Sequence, residues 1–385
     1  MGKLRFLTAG ESHGKGLVAI IEGMVAGLPL SEDFISYHLK RRQTGYGRSS
    51  RMKIEQDIAE IVSGVRLGFT IGSPISLVIR NRVWEEWRET MSIAPHGKQI
   101  EPLTMPRPGH ADLAGVIKYD IDDIRPILER ASARETAARV AVGAVARRFL
   151  EQFGVVIHSH TVSIGGLQAV LDIEIDWQQV EKSPLRCAST KCEKAMVAAI
   201  DRAKAEGDTL GGVFEIVVDG VPVGLGSHVH WDNRLDGRIA QAVMSIQAVK
   251  GVEIGGGFAM AATKGSQAHD IIEPSTEGPF SWHRVTNRAG GIEGGMSNGQ
   301  PIIVRAAVKP VATLGKPSPS VDLRTGKVAK AHYERSDICV VPDAGIVGEA
   351  MVAIVLADVM LEKFGGDHLR ETLTNYRAYL DVPGS

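Results

Sequence analysis

Residues 132–149 read Ser-Ala-Arg-Glu-Thr-Ala-Ala-Arg-Val-Ala-Val-Gly-Ala-Val-Ala-Arg-Arg-Phe, and the architecture turns on how that run is understood. Alanine is the strongest helix former, and Ala137, Val140, Ala141, Ala144, Val145 and Phe149 put small or apolar groups on several faces, which predicts a buried helix. Ser132 and Glu135 stand in the S-x-x-E spacing of a capping box, which predicts its start. Downstream, Val155–Ile164 and Val213–Val223 read as strands separated by a polar helix from about Ser189 to Glu206. Pro301–Val308 reads as another strand and Gly345–Phe364 as a long apolar helix. Upstream, a helix is expected over Ser31–Arg42 with Ser31 as N-cap, then strands over Ile54–Val65 and Ser73–Arg80, the latter alternating Ile75, Leu77 and Ile79. The order lacks the regular βαβ alternation of a doubly wound sheet, so an α+β fold is expected.

Composition excludes several classes. The 385 residues carry 44 Lys+Arg against 45 Asp+Glu, a net charge of −1, and 44% are hydrophobic, so the chain can build a core and is neither disordered nor polybasic. Its three cysteines, Cys187, Cys192 and Cys339, are too few and too irregular for a disulfide framework or a zinc module, and a reducing, cytoplasmic setting is expected. The 43 glycines exceed the usual share of about 7% and have no collagen period, so they are assigned mainly to loops. No targeting segment, solenoid repeat or Pro/Ser-rich linker is evident. The longest apolar runs, near Ala350–Ala357, fall short of the roughly 20 residues that cross a bilayer.

Several segments could carry chemistry. Gly10-Glu11-Ser12-His13-Gly14-Lys15-Gly16 fails the nucleotide P-loop spacing, and its histidine fits either a solvated loop or an acid/base group. Arg107-Pro108-Gly109-His110-Ala111-Asp112 is a stiff turn that can aim polar groups. Lys40, Arg41, Arg42, Arg48, Arg51 and Lys53 crowd together without an acid among them. They suit a solvated basic patch, a polyanion such as RNA, or a small charged ligand wrapped by a mobile loop. Arg130 and Arg134 flank the start of the Ala-rich helix, where free N–H groups favour a phosphate, although a plain capped helix reads the same way. The glycines at 290, 291, 294, 295 and 299 require close backbone approach to another segment or to a flat ligand. Arg335-Ser336-Asp337 could set a carboxylate at the edge of a buried region. The pairs His158/His160 and His228/His230 lack a third ligand nearby, so no metal is expected, and Cys187 and Cys192 read as packing residues on one helix.

The ordered set GESHG (10–14), RPGHAD (107–112), ASARETAARV (131–140), QAVKGVEI (247–254), GGIEGGMSNG (290–299) and RSD (335–337) resembles the chorismate synthase family over nearly the whole chain. The resemblance implies one α+β domain over residues 1–385, helices sandwiched between antiparallel sheets, and a homotetramer. It implies a lyase of the shikimate pathway to aromatic amino acids, which eliminates phosphate from 5-enolpyruvylshikimate 3-phosphate to give chorismate. It also implies a requirement for reduced FMN, with an external flavin reductant as a partner. Under it, His13 is the acid at the leaving phosphate, His110 sits by the flavin and Asp337 helps relay a proton, with Ser12 in support. FMN is placed against Ser132, Ala133, Arg134, Gln247, Ala248, Gly294, Gly295, Lys309, Pro310, Val311, Ala312, Thr313 and Arg335. Arg42, Arg48 and Arg107 are implied for substrate, and Arg42 and Arg48 match positions linked in the family to NADP. Neither nucleic acid nor membrane is an expected partner. The rival readings are a binding protein for anionic polymers through the basic loop and a flavin oxidoreductase with net turnover of flavin.

Overall fold

A computed structural model describes residues 3–48, 56–169, 175–276 and 281–381. Strands β1 (Arg5–Ala9), β2 (Gly16–Glu22), β3 (Ala59–Ser63) and β4 (Ile75–Arg80) form one antiparallel sheet in the order β1-β2-β4-β3. Their period-two pattern gives the sheet one apolar face: Leu17, Ala19 and Ile21 of β2 are buried with Ile75, Leu77 and Ile79 of β4. A second antiparallel sheet comprises β5 (Val156–Ile164), β6 (Leu167–Gln168), β7 (Gly212–Asp219), β8 (Val249–Ile254) and β9 (Ile302–Val308), in the order β8-β9-β7-β5-β6.

Helices lie between the sheets. Helix α1 (Glu32–Arg42) follows β2, and α2 (Asp112–Tyr119) and α3 (Arg125–Ala131) precede the Ala-rich α4 (Thr136–Glu151). Beyond α5 (Thr190–Glu206) and α6 (Leu235–Met244), the chain ends in α7 (Val341–Phe364) and α8 (Leu369–Leu380). Helix α4 packs on the first sheet, α7 on the second, and the two pack on each other, giving a β-α-α-β sandwich. Their approach is set by Gly143, where a Cβ would lie 2.3 Å from the Cβ of Ala350. The α+β expectation is met, and antiparallel sheets with helices between them are observed.

Several local expectations are corrected. The capping box does not form: the Ser132 hydroxyl accepts from the Arg134 N–H and caps a 3-10 turn at Ala133–Glu135, while Glu135 is taken up by Thr8, Arg139 and Gln247. The helix proper therefore starts at Thr136. The last long helix begins at Val341, ahead of Gly345, because Pro342 suits a first turn. That helix is long and apolar enough to cross a bilayer, with mean hydropathy 2.0 over 18 residues, yet 94% of this window is buried inside the protein. Cys187 lies ahead of α5, and only Cys192 is on the helix. The strand expected over 54–65 is β3, and its first residues, with Arg51 and Lys53, fall outside the described residues.

Candidate active site

Seven connections converge on a cavity of about 400 Å³. They are the β1–β2 loop with Ser12 and His13, the end of α1 and the loop after it with Arg42 and Arg48, and the segment before α2 with Arg107 and His110. The others are the α3–α4 turn from Ala131 to Arg134, the turn at Gln247–Ala248, the segment after β9 from Lys309 to Thr313, and residues 334–340 before α7. Loops held by rigid layers are where functional groups concentrate. Six basic side chains line it (Arg42, Arg48, Arg107, Arg134, Lys309, Arg335) against the carboxylates of Glu334 and Asp337.

The two histidines are each oriented by a carboxylate. His13 is buried, with Nδ1 2.6 Å from Glu129 Oε1, and its backbone N–H donates to the other oxygen of the same carboxylate at 2.6 Å. Its ring stacks on Trp87, centroids 3.9 Å apart and planes 20° apart. With Nδ1 committed, Nε2 is the nitrogen left for a ligand. The Ser132 hydroxyl lies 3.2 Å from that of Ser12. His110 Nδ1 is 2.5 Å from Asp112 Oδ1, and Arg107 grips the same carboxylate through Nε at 2.9 Å and Nη2 at 3.1 Å. Burial works to raise the Asp112 carboxyl, but hydrogen bonds from His110 and Arg107 outweigh it and hold it well below the usual carboxylate range.

The arginines are fixed by buried acids. Asp57 bridges Arg42, which donates from Nη2 at 2.8 Å, and Arg134, which donates from Nη1. Arg134 Nε also reaches Asn81 Oδ1 at 3.0 Å. Arg48 lies 2.5 Å from Asp343 and 3.3 Å from Asp337. Burial, with Asp337 adding to it against the pull of Arg48, pushes the Asp343 carboxyl up to about 6. Burial depresses Arg42, and Arg48 and Arg134 add to this against the pull of Asp57. Its Nε is buried without a partner, as is Arg48 Nε. An imbalance of this kind is what an incoming anion would relieve.

The wall opposite is backbone and small side chains. Ala248 adopts a left-handed φ of 69°, uncommon for a residue with a Cβ and costing on the order of 1–2 kcal/mol, and its carbonyl accepts from the Lys309 N–H at 2.9 Å. Gln247 donates through Nε2 to Glu135 while its Oε1 is buried without a partner. Burial, with Lys250 nearby, depresses Lys309.

Most of the residues singled out from the sequence line this cavity: Ser12, His13, Arg42, Arg48, Arg107, His110, Ser132, Ala133, Arg134, Gln247, Ala248, Lys309, Val311, Ala312, Thr313, Arg335 and Asp337. Gly294, Gly295 and Pro310 do not. Gly295 sits where a Cβ would meet Ser227 O and the Arg234 side chain, both 2.8 Å away, and Gly290 packs on Gly255, so these two answer to other chain segments, whereas a Cβ at Gly294 would meet nothing within 4 Å and its left-handed φ of 60° is what calls for glycine. The basic run also proves different from a surface patch. Arg41, Arg42 and Arg48 turn inward to acids, while Lys40 is exposed and Arg51 and Lys53 lie outside the described residues. The sequence reading missed Glu129, Asp57, Asn81, Trp87 and Asp343. Only Asp343 carried a signal, as one of two acids, with Glu349, in the otherwise apolar stretch 341–357. Among the described residues, no group of three or more His, Cys, Asp or Glu side chains is placed to hold a metal ion.

A layered α+β sandwich with an arginine-rich cavity and two carboxylate-held imidazoles defines a class: an enzyme acting on a compact, multiply charged small molecule. The chain belongs to the chorismate synthase family, whose match covers residues 4–361. The chorismate synthase of Streptomyces avermitilis is 53% identical over 392 residues, spanning 99% of each chain. That of Moorella thermoacetica is 55% identical over 383 residues, covering 98% of this chain and 99% of the relative. A crystal structure of chorismate synthase superposes with a TM-score of 0.79 at 46% identity, over 99% of this chain and 98% of that one.

Proposed function

We propose that this chain converts 5-enolpyruvylshikimate 3-phosphate to chorismate and inorganic phosphate by a 1,4-anti elimination, with reduced FMN as cofactor. The observation that carries the reading is the cavity's excess of fixed cations around His13, with unpartnered guanidinium N–H groups on Arg42 and Arg48. A substrate with two carboxylates and a phosphate supplies the missing anions, and arginine forks match both groups. The small-residue wall at Ala131–Ala133, Ala248 and Val311–Ala312, with the unpartnered Gln247 Oε1, fits a flat flavin ring bearing an N–H. Reduced FMN, when bound, supplies electron density and a basic ring nitrogen to the substrate.

The chain's own groups do the rest. Arg42, Arg48, Arg107 and Arg134 bind and orient the trianion. His13, its Nδ1 on Glu129, presents Nε2 to the departing phosphate oxygen and offsets or protonates the charge that develops there. His110, held by Asp112 and Arg107, would help hold the cofactor and would offer it a hydrogen-bonding ring nitrogen. Asp337, paired with Arg48, takes part in moving the proton lost from the substrate, and Ser12 and Ser132 add two hydrogen-bonding hydroxyls to the same cavity. The chain works as one domain over residues 1–385 in a cytoplasmic homotetramer, and a separate reductant supplies the reduced flavin. NADP contact at Arg42 and Arg48 is secondary to substrate binding.

The test is anaerobic phosphate release from 5-enolpyruvylshikimate 3-phosphate. Release is expected with reduced FMN and none with oxidised FMN, without net flavin consumption. Equal turnover with oxidised flavin would sink the mechanism, and one flavin oxidised per product would turn the reading to a net oxidoreductase. His13→Ala is expected to lower kcat by about 10²–10⁴-fold with little change in KM.

A further inference from the structure

The segment leaving β4 grips the His13 loop at several points. Asn81 Nδ2 donates to the carbonyls of Glu11 at 3.1 Å and Gly14 at 2.8 Å, and the Asn81 N–H donates to Lys15 O at 3.2 Å. Lys15 Nζ in turn stands 5.9 Å from the Trp84 ring centroid. One helical turn on, the Trp87 ring lies over His13 at 3.9 Å and 20°. Trp87 is half-buried and is not part of the cavity wall.

We infer that Trp87 is a positioning residue for His13: its indole stack and the Glu129 carboxylate together fix the direction in which Nε2 meets a ligand in the cavity. The two contacts restrain different motions. The 2.6 Å contact of Nδ1 with Glu129 anchors one edge of the ring, but one such contact leaves the ring plane able to tilt about that anchor. A near-parallel ring at van der Waals distance removes that tilt, and such a stack contributes about 0.5–1.5 kcal/mol. Misplacement of a reacting group by about 1 Å can cost 10²-fold in rate, so the stack matters more to turnover than to folding. The inference rests on the reading of His13 as the acid at the leaving group.

Trp87→Ala and Trp87→Phe in the full chain test it in two ways. The first is NMR of histidine in the cofactor-free protein. The indole should shift the carbon-bound protons of His13 upfield in the wild type, Phe should retain much of that shift, and Ala should abolish it and broaden or split the His13 signals. The second is anaerobic turnover with reduced FMN. Trp87→Ala should lower kcat by about 10–100-fold with KM within about twofold, and Trp87→Phe should stay within about threefold of wild type. Unchanged kcat in the alanine variant, or equal losses in both variants, would overturn the inference. If the wild type releases no phosphate, the lyase reading fails by itself. The NMR arm then decides the stack: an altered His13 spectrum in the alanine variant supports positioning, and an unchanged one overturns it.

Discussion

Arg41 and Arg42 are neighbours in the last turn of α1, both buried, and their surroundings pull them in opposite directions. Arg41 donates to Glu349 at 2.7 and 3.1 Å and to Glu181 at 2.6 and 3.2 Å. Burial alone would lower its affinity for its proton, but Glu349 and Glu181 more than compensate. Arg147 joins Glu349 and Arg186 joins both acids, so that cluster pairs three arginines with two carboxylates beside a void of only about 10 Å³. Arg42 faces a cavity of about 400 Å³, shares Asp57 with Arg134, and is depressed by burial and by its cationic neighbours. Buried arginine therefore marks no function by itself. An excess of cation beside open volume does, because only there can a ligand complete the balance.

Helix α7 repeats the contrast with acids. Asp343 and Glu349 lie on it with Asp343 towards the cavity and Glu349 towards the closed cluster, and burial opposes ionisation of both. At Glu349 three guanidiniums win and hold the carboxyl well below its usual range. At Asp343 Arg48 is offset by Asp337, and the group is pushed up to about 6. The largest expected effect follows at pH 5. Glu349→Gln should destabilise the fold by about 3–5 kcal/mol, since it leaves three buried cations short of a partner. Asp343→Asn should stay within about 1 kcal/mol of wild type, because the carboxyl it replaces is largely protonated at that pH. Chemical denaturation measures both, and similar costs at the two positions would erase the distinction.

A smaller effect separates the neighbouring arginines. Arg41→Lys loses the fork that serves Glu349 and Glu181 and should cost about 1.5–3 kcal/mol of stability, as hydrogen bonds to charged groups do, with KM within about twofold. Under the proposed function, Arg42→Lys should raise KM for the proposed substrate about tenfold through loss of two-pronged anion binding, with a stability change near 1 kcal/mol. Denaturation midpoints and steady-state kinetics on the same two proteins provide the check. A stability loss confined to the Arg42 variant would reverse the assignment of the two clusters.

Local pattern and long-range pairing differ in how far the sequence reveals them. The buried character of α4 shows in Ala137–Val145 because small residues on every face are a local signal, and the alternation of β4 shows for the same reason. The loops bearing His13, His110 and Arg134 were recognisable as motifs with unusual chemistry for their length. Their partners were not. Glu129 reaches His13 across 116 positions and Glu349 reaches Arg41 across 308, and nothing local distinguishes such a carboxylate from a solvated one. The same blindness made the basic run around Arg42 resemble a surface patch, since its neutralising acids lie elsewhere in the chain or, for Asp57, just beyond it. The glycine cluster from 290 to 299 differs again, because the need for close approach at Gly290 and Gly295 is legible while the object approached is not.

The smallest effect is the pH dependence of stability, and its sign tests the two acids of α7 together. The Asp343 carboxyl is raised in the fold, from 3.8 to about 6, so the folded state binds its proton more tightly than the unfolded chain does. Its contribution is present in full below about pH 4 and is lost as pH rises through 6. Glu349 is depressed from 4.5, so its contribution is present above that value and is lost as pH falls below it. Each tenfold change in proton affinity is worth about 1.4 kcal/mol, so the full shift bounds the swing at about 3 kcal/mol, and because Arg48 and Asp337 share the charge at Asp343 a swing of about 1 kcal/mol is expected there. Between pH 4 and 6.5, Asp343→Asn should therefore gain stability relative to wild type as pH rises, measured as the difference in urea midpoint between the two proteins. Below pH 4.5 the wild type should weaken with acid while Glu349→Gln, lacking the group, should weaken less steeply. A flat difference for Asp343→Asn would mean that Arg48 holds the carboxylate ionised, and the acid behind Arg48 would then behave like the one in the closed cluster.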